Sequence, residues 1–266
     1  MLRVRLTRFQ AILAATSIIG IAIWYLTDGS LRWWLLSVVC SIAGLSIGLG
    51  VSFPSWQMFG PCLCRVRTGQ KLVALTFDDG PDQANTPALL ALLRDQKIPA
   101  TFFCIGERVA LNPDLARQIA SEGHELENHS WSHHPWTNFF STKRLVSDLV
   151  STQQTIEAVC GSAPKYFRPP MGLTNDRVFR AIREPGLTLV GYSARGLDRR
   201  AKPPEKIVDR LLRGLRPGAI LLLHDADVPQ ERMLTVVSLL ARRLKEEGYQ
   251  CVRLDELVKT ERKSLL

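Results

Sequence analysis

Two groups of polar residues have the types and the spacing of a metal site. Asp78 and Asp79 are adjacent and precede Gly80, and His129 and His133 are four residues apart. In a helical turn that spacing puts both imidazoles on one side, as a metal requires. Two histidines and one carboxylate form a three-ligand set that leaves a catalytic metal an open position for water. The alternative is that the Asp-Gly pair marks an ordinary turn.

Further polar residues follow apolar runs later in the chain. Arg168 precedes a Pro-Pro-Met-Gly sequence, Asp198 follows the next apolar run, and His224 directly follows three leucines. His124 and His134 are expected to be structural or surface histidines.

The elements that must position these residues begin near Lys71, where short apolar runs alternate with amphipathic helical segments. Strands are predicted over residues 72–77, 100–105, 124–127, 166–168, 187–192, 219–223 and 250–254. Helices are predicted around residues 87–96, 113–122, 142–159, 175–183, 204–214 and 231–246. This alternation favours an α/β fold with a parallel sheet or barrel, whose chemistry should lie at the C-terminal ends of the strands. The polar residues above fall at those ends.

The N-terminal part of the chain has a different composition. Residues 1–59 contain only five charged side chains, and residues 9–26 and 31–53 form two apolar stretches, the second interrupted by Arg32. Each stretch is long enough to span about 30 Å of hydrocarbon. We therefore predict a membrane anchor of two transmembrane helices over residues 1–59, a linker over 60–70 and a soluble domain over 71–266. A cleaved signal peptide is the alternative for the first stretch, although 18 uncharged residues exceed its usual apolar length.

Positive charge predicts the orientation of this hairpin. Basic residues lie outside the two stretches and only Arg32 lies between them; the outer ones are Arg3, Arg5, Arg8, Arg65, Arg67 and Lys71. The positive-inside rule then places both termini in the cytoplasm. We expect a multi-pass protein of the cell (inner) membrane with a cytoplasmic catalytic domain, and the periplasmic orientation stays open.

Composition excludes two classes of protein. With 46% hydrophobic and 22% charged residues, the chain is not disordered. Its net charge of +9 is explained by anionic lipid headgroups more simply than by nucleic acid, so no nucleic-acid partner is expected. Six cysteines show neither a disulfide framework nor paired metal spacing.

The motifs, in their order, resemble those of the NodB-type polysaccharide deacetylases, carbohydrate esterase family 4, which remove N-acyl groups from amino sugars. The resemblance covers about residues 71–257 and rests on TFDDGP (76–81), HSWSH (129–133), RPPMG (168–172), Asp198 and LLLHD (221–225). It implies a distorted (β/α) barrel and a hydrolase of C–N bonds other than peptide bonds, acting on an N-acyl, most simply N-acetyl, group.

The resemblance also implies a ligand set for a divalent metal ion. Asp79, His129 and His133 are expected to bind it, and an Asp/His/His set favours zinc. Met171 is expected to donate its backbone N–H to the acyl oxygen as an oxyanion hole, and Leu222 to form a wall of the acyl pocket.

Four other residues carry the proton transfers that the resemblance implies. Asp78 is expected to be the general base and His224 the general acid. Arg168 should pair with Asp78 and hold it ionised, whereas Asp198 should orient His224 and favour its charged form.

The sequence departs from the family pattern at the pocket. Met171 replaces a usual Tyr, and Arg199 and Tyr192 stand where the fourth motif usually has Trp. Arg195, Arg199 and Arg200 bracket Asp198, and three guanidinium groups would suit an anionic substrate such as a sugar phosphate. An exposed basic loop is the alternative.

Together these observations predict a membrane-anchored, metal-dependent enzyme that deacylates an amino sugar, carried on a lipid phosphate if the domain is cytoplasmic. If the domain faces the periplasm, peptidoglycan or exopolysaccharide becomes the better substrate. A non-catalytic sugar-binding protein on the same fold is the competing class. It would have lost ligands or the base, and none is missing.

Overall fold

A computed structural model describes residues 6–263 of the protein, and its side chains up to Glu261. Arg3 and Arg5, which contribute to the predicted cytoplasmic flank, lie outside the described residues. Eight strands within this range form one sheet in which all paired strands are parallel. They are β1 (Leu72–Asp78), β2 (Thr101–Cys104), β3 (Glu125–Asn128), β4 (Tyr166–Phe167), β5 (Thr188–Leu189), β6 (Ala194–Arg195), β7 (Ala219–His224) and β8 (Gln250–Cys251).

The strands lie in the order β5-β4-β3-β2-β1-β7-β6, and β8 pairs with the start of β1. Parallel neighbours need crossover connections, and helices fill them. The helices of this part are α3 (Thr86–Asp95), α4 (Gly106–Leu111), α5 (Pro113–Ser121), α6 (Thr142–Cys160), α7 (Asp176–Ala181), α8 (Pro204–Leu212), α9 (Gln230–Glu246) and α10 (Leu254–Lys263). The predicted α/β fold is confirmed, as a (β/α) half-barrel of parallel strands.

The central strand β1 is buried on both faces, as expected of a parallel strand with layers on either side. Phe77 packs into the main apolar cluster, with its ring 5.3 Å from that of Phe102, against residues of α3 and α9. Ala74 belongs to a smaller cluster on the other face, which includes Leu254 and Leu257 of α10. The apolar run of β1 therefore places its last residue, Asp78, at a rigid edge of the sheet.

Some predicted elements are wrong at their ends. The strand predicted over residues 250–254 stops at Cys251, and Leu254 instead begins α10, where Leu254 and Leu257 are buried three residues apart on one helix face. Helix α4 and strand β6 were not predicted, because elements of six and two residues are too short for a periodic pattern.

The segment predicted as a linker packs along the sheet. The Leu63 N–H donates to the carbonyl of Leu189 at 2.9 Å, and the Val66 N–H donates to the carbonyl of Gly218 at 2.9 Å. Val66 is completely buried. This stretch therefore joins the end of β5 to the beginning of β7, although the division of the chain into parts remains a prediction.

Two apolar helices precede the sheet and form an antiparallel pair, α1 (Arg8–Leu26) and α2 (Gly29–Ser52). Both are long and apolar enough to cross a membrane, with mean hydropathies of 1.8 and 2.0, and almost none of their surface is buried. At the turn between them, Arg32 bonds to the Asp28 carboxylate at 2.7 Å and lies over the ring of Trp24.

The open end of this hairpin rests on the half-barrel. The Phe9 N–H donates to the carbonyl of Met58 at 3.0 Å, and the Thr174 N–H donates to the carbonyl of Val51 at 3.2 Å. Phe9, Val51 and Met58 also share an apolar cluster with Phe179 of α7. The hairpin is thus in contact with the domain through both hydrogen bonds and apolar packing.

Candidate active site

The residues selected from the sequence meet at the C-terminal edge of the sheet. Twelve residues were expected to bind metal, to act in catalysis or to contact substrate. Eleven of these line one pocket, and the twelfth, Asp198, contacts the pocket residue His224. Asp78 and His224 end β1 and β7 and lie opposite each other in register. His129 and Arg168 follow β3 and β4. Parallel strands therefore deliver the polar groups to one place, as the sequence predicts.

Three of these side chains form a cluster suited to a metal. One ligand atom each of Asp79, His129 and His133 lies within 4.8 Å of the others. Both histidine Nε2 atoms are 3.3 Å from Oδ1 of Asp79. The Nδ1 atom of His129 is 2.7 Å from the carbonyl oxygen of Arg168, so that an Nδ1–H donated there leaves the Nε2 lone pair directed at the cluster.

The electrostatics of the cluster fit a divalent cation. Both oxygens of Asp79 are buried without a hydrogen-bonding partner among the described residues, so their contacts are ionic. Burial alone would raise the pKa of Asp79, but His129, His224 and His133 outweigh it and hold it below its usual range. Burial and the nearby His129 lower the pKa of His133. A neutral imidazole and an ionised carboxylate are the forms that ligate metal.

The expected helical turn between the two histidines is wrong. Residues 129–133 form an irregular loop in which Ser130 and His133 have positive φ angles of 70° and 48°. The loop is held because the His133 N–H donates to the Ser130 hydroxyl and the Ser130 N–H donates to the Asn128 side chain. The imidazoles converge by this route instead of by helical spacing.

Backbone strain also marks other positions of the pocket, Asp79 and Met171 among them. Asp79 has φ 79° and Met171 has φ 58°, the left-handed region that costs a non-glycine residue about 1–3 kcal/mol. Next to Asp79, a side chain at Gly80 would collide with the buried carboxylate of Asp225, whose pKa burial raises to about 7. Asp225 in turn accepts a hydrogen bond of 2.6 Å from Thr86. The buried Asp225 therefore packs directly against the turn that carries Asp79, and Thr86 holds Asp225 in place.

Arg168 holds Asp78 in a fixed orientation. Its Nη1 donates to Oδ1 of Asp78 at 2.6 Å, its Nη2 donates to the carbonyl of Gly191 at 3.0 Å, and its guanidinium lies over the ring of Phe103. Oδ2 of Asp78 is 4.0 Å from Nε2 of His129. One oxygen is thus engaged by the arginine and the other faces the histidine cluster.

Asp198 holds His224 in the same way. Its Oδ1 is 2.9 Å from Nδ1 of His224, and its Oδ2 accepts a 2.8 Å hydrogen bond from the His224 backbone N–H. Burial by itself disfavours the charged ring, but the bond to Asp198 and the charges of Asp198, Asp78 and Asp79 raise the pKa of His224 above its usual value. Nε2 of His224 points towards the cluster, 3.9 Å from Oδ2 of Asp79.

The three arginines lie on the rim of the pocket with different contacts. Nη2 of Arg199 contacts Oδ2 of Asp79 and lies 3.2 Å from Oδ2 of Asp227. The guanidinium of Arg195 lies 5.7 Å from the ring centre of Tyr192. Arg200 is exposed. The sequence predicts the group of three arginines. It does not predict the contact between Arg199 and Asp79, which are 120 positions apart.

Two residues of the pocket were not selected from the sequence, and two histidines lie outside it. Gly172 and Leu197 also line the pocket, and no pattern in the sequence distinguishes them. His124 is buried and accepts a hydrogen bond from the Ala100 N–H at 3.1 Å, and His134 accepts one from the Trp136 N–H at 3.1 Å. Both have the structural contacts that were expected.

Comparison with known proteins relates the chain to one family of enzymes. The family model described as polysaccharide deacetylase matches residues 65–190. The chain is 37% identical over 196 residues to the peptidoglycan-N-acetylglucosamine deacetylase of Bacillus cereus, covering 73% of this chain and 91% of that protein. It is 36% identical over 165 residues to a chitooligosaccharide deacetylase of Bradyrhizobium, covering 62% and 75% of the two chains.

Solved structures give the same result. A family 4 acetyl xylan esterase of Clostridium thermocellum, in complex with a cobalt ion, aligns with a TM-score of 0.66 and 33% identity over 71% of this chain and 90% of that one. A pseudoenzyme of the same family from Bacillus anthracis aligns with a TM-score of 0.69 and 26% identity over 75% of this chain and 69% of that one. The fold therefore occurs with and without activity, and the site residues must decide between them.

Proposed function

Since this chain belongs to the polysaccharide deacetylase family, we propose that it removes the N-acetyl group from an amino sugar carried on a lipid phosphate. Its deacetylase relatives and its intact site residues make it a hydrolase of carbon–nitrogen bonds other than peptide bonds. One observation carries the proposal. The Asp79, His129 and His133 cluster shares a pocket with a paired carboxylate, Asp78, and a paired histidine, His224.

We propose zinc as the metal, held by Asp79, His129 and His133. Two imidazole nitrogens and one carboxylate oxygen form the ligand set of many catalytic zinc sites. When bound, such an ion polarises a carbonyl group and makes water a stronger acid.

The residues around this cluster account for both proton transfers. Arg168 bonds to Oδ1 of Asp78 and leaves Oδ2 free to act as the base. Asp78 takes a proton from the attacking water while the water oxygen bonds to the acyl carbon. The backbone N–H of Met171 donates to the resulting oxyanion, and Leu222 contacts the acyl methyl group. As the C–N bond breaks, Nε2 of His224 gives its proton to the leaving nitrogen. The products are a carboxylate and a free amine.

A non-catalytic role would require a defect in this set. A sugar-binding relative without activity should have lost a ligand, the base or the acid, and all of them are present here. The pairings of Asp78 with Arg168 and of His224 with Asp198 support catalysis further, because sugar binding alone does not require them.

The arginines favour an anionic substrate. Arg195 and Arg200 are exposed on the rim of the pocket, where a guanidinium can hold phosphate oxygens by paired hydrogen bonds. Arg199 is bound between Asp79 and Asp227, so it can reach substrate only close to the reacting group.

Replacing Arg195 and Arg200 with glutamine should weaken the processing of a lipid-phosphate-linked amino sugar far more than that of a neutral chitooligosaccharide. Removing each charge-assisted hydrogen bond to the phosphate should cost about 1.5–3 kcal/mol. Acetate release from the two substrates measures the difference. Arg242→Gln, an exposed position of α9 paired with Glu246, is the control. Equal losses on both substrates would contradict an anion-binding role.

We further propose that the hairpin is a multi-pass membrane anchor, with the chain divided into anchor (1–59), linker (60–70) and catalytic domain (71–266). Almost no residue of α1 or α2 is buried. Contact between such a large apolar surface and water is unfavourable. Aromatic residues lie at both ends of the hairpin, as in membrane-spanning helices: Trp24, Tyr25, Trp33 and Trp34 at the turn, and Phe53 and Trp56 at the open end.

The orientation has a direct test. A reporter fused after Leu266 should be active in the cytoplasm, because Arg8 and the basic residues that follow α2 lie at the same end of the hairpin. A pair of reporters, one active only in the cytoplasm and one only in the periplasm, measures it. Activity of the periplasmic reporter would overturn the orientation and favour peptidoglycan or exopolysaccharide as substrate.

A further inference from the structure

Exposed apolar side chains concentrate beside the pocket. After the hairpin, six large apolar side chains are exposed among the described residues: Phe53, Trp56, Leu111, Trp136, Phe139 and Met171. All except Leu111 belong to the open end of the hairpin, to the loop that carries His133, or to the rim of the pocket. A soluble surface scatters such residues singly, whereas a group of them marks a contact site.

Apart from Leu111, the most exposed of the six lie in one turn, which we call the aromatic turn (residues 136–139). Trp136 and Phe139 are 63% and 71% exposed, and their rings are 5.5 Å apart. The backbone beneath them is fixed, since Asn175 donates to the carbonyl of Asn138 at 2.6 Å and Arg177 donates to that of Phe139 at 3.2 Å. The turn therefore presents two aromatic rings outwards from a fixed backbone.

The segment of residues 171–177, which holds the backbone of the aromatic turn, also contacts the hairpin and the pocket. Thr174, next to Asn175, donates to the carbonyl of Val51 at the end of α2. Phe140, directly after the turn, packs into the cluster that contains Val51. Three residues before Thr174, Met171 lines the pocket. The turn, the rim of the pocket and the end of the membrane hairpin are thus neighbours.

The charges around the turn complement an anionic surface. Residues 136–148 and 173–184 contain five cations, Lys143, Arg144, Arg177, Arg180 and Arg183, and three acids, Asp148, Asp176 and Glu184, of which Asp148 accepts a hydrogen bond from the Trp131 N–H. The guanidinium of Arg144 lies 3.5 Å from the ring centre of Phe140. Tryptophan, phenylalanine and arginine together are typical of the headgroup region of a bilayer, where anionic lipid attracts the basic residues.

We propose that the aromatic turn, with Phe53, Trp56 and Met171, lies in the headgroup region of the anionic bilayer that the hairpin crosses. The pocket then opens at the level of the headgroups. A sugar attached to a lipid reaches the pocket while its lipid stays in the bilayer. This last step rests on the proposed function, whereas the contact with lipid rests only on the proposed membrane anchor.

Photo-crosslinking of the full chain tests the contact. We would introduce benzoylphenylalanine in place of Phe139 and reconstitute the protein in vesicles of phosphatidylethanolamine and phosphatidylglycerol. The same substitution at Leu111, which is 73% exposed away from the turn, is the matched control. We expect a phospholipid adduct from position 139 and none from position 111. No lipid adduct at position 139, or an adduct with a second protein chain there, would overturn the proposal.

A second variant links the surface to activity. Trp136→Ser combined with Phe139→Ser should lower kcat/KM on a bilayer-borne amino sugar by roughly tenfold, the equivalent of about 1.4 kcal/mol, and leave hydrolysis of a soluble chitooligosaccharide unchanged. Neither residue lines the pocket. Equal activity on the bilayer-borne substrate would contradict the proposal. Should the wild-type protein release acetate from neither substrate, the proposed function fails, and the crosslink still decides the surface.

Discussion

Replacing His133 with alanine should remove most of the bound metal and nearly all activity, while the chain remains folded. A divalent ion held by three protein ligands loses a third of its donors, and the two that remain, Asp79 and His129, cannot hold it tightly. The fold should survive because His133 lies on a loop outside the apolar clusters of the sheet. Metal content by mass spectrometry, measured beside circular dichroism, separates the two effects.

The neighbouring histidine provides the control. His134 accepts a hydrogen bond from the backbone of Trp136 and is not part of the cluster. His134→Ala should therefore retain its metal. Full metal content in His133→Ala would show that the ligand set is wrong, whatever the activity of that variant.

Asp78→Asn should lower turnover by about 10²–10⁴-fold while the metal stays bound, because an amide cannot accept the proton that the attacking water gives up. The variant also removes the negative partner of the buried Arg168, so its thermal unfolding must be followed in parallel. Single-turnover acetate release and metal content are the measurements. Asp82→Asn is the control, since the Asp82 carboxylate lies outside the pocket and accepts turn hydrogen bonds from Ala84 and Asn85.

The pH profile sharpens this second prediction. The pKa of His224 is raised, so its acid form persists to higher pH and is lost as the pH rises through that value. The fall in rate on the alkaline side should therefore remain in Asp78→Asn, since His224 and Asp198 are untouched, but it should move to lower pH, because the charge of Asp78 is one of those that raise the pKa of His224. Near-normal turnover in Asp78→Asn would exclude it as the base.

The sequence predicts the strand order along the chain and the polar residues at the strand ends because both depend on local patterns. The run from Leu72 to Phe77 is apolar on both faces and ends in two carboxylates, which indicates a buried parallel strand and its active edge. Parallel strands put such residues at one edge of the sheet, and the pairing of β1 with β7, which the sequence does not predict, brings Asp78 beside His224, 146 positions away.

What could not be predicted depends on contacts between distant segments. No local signal tells that Leu63 pairs with Val190, or that Arg199 reaches Asp79. The loop at His129 to His133 has the spacing of a helical turn, yet backbone N–H groups that donate to the side chains of Ser130 and Asn128 hold it in an irregular form. Leu254 ends the predicted strand but begins a helix in the structure, and its N–H donates to the hydroxyl of Thr101, a residue distant in the sequence.

The packing of residues 62–66 along the sheet limits where the chain can be cut to obtain a water-soluble enzyme. Removing the hairpin by cutting at Lys71 would keep every pocket residue, yet it would also delete Val66 and Leu63 and leave the carbonyls of Gly218 and Leu189 without their donors. A fragment that starts at Phe59 retains both bonds and the buried Cys62. Twelve residues thus separate a truncation that exposes the flank of the sheet from one that leaves it covered.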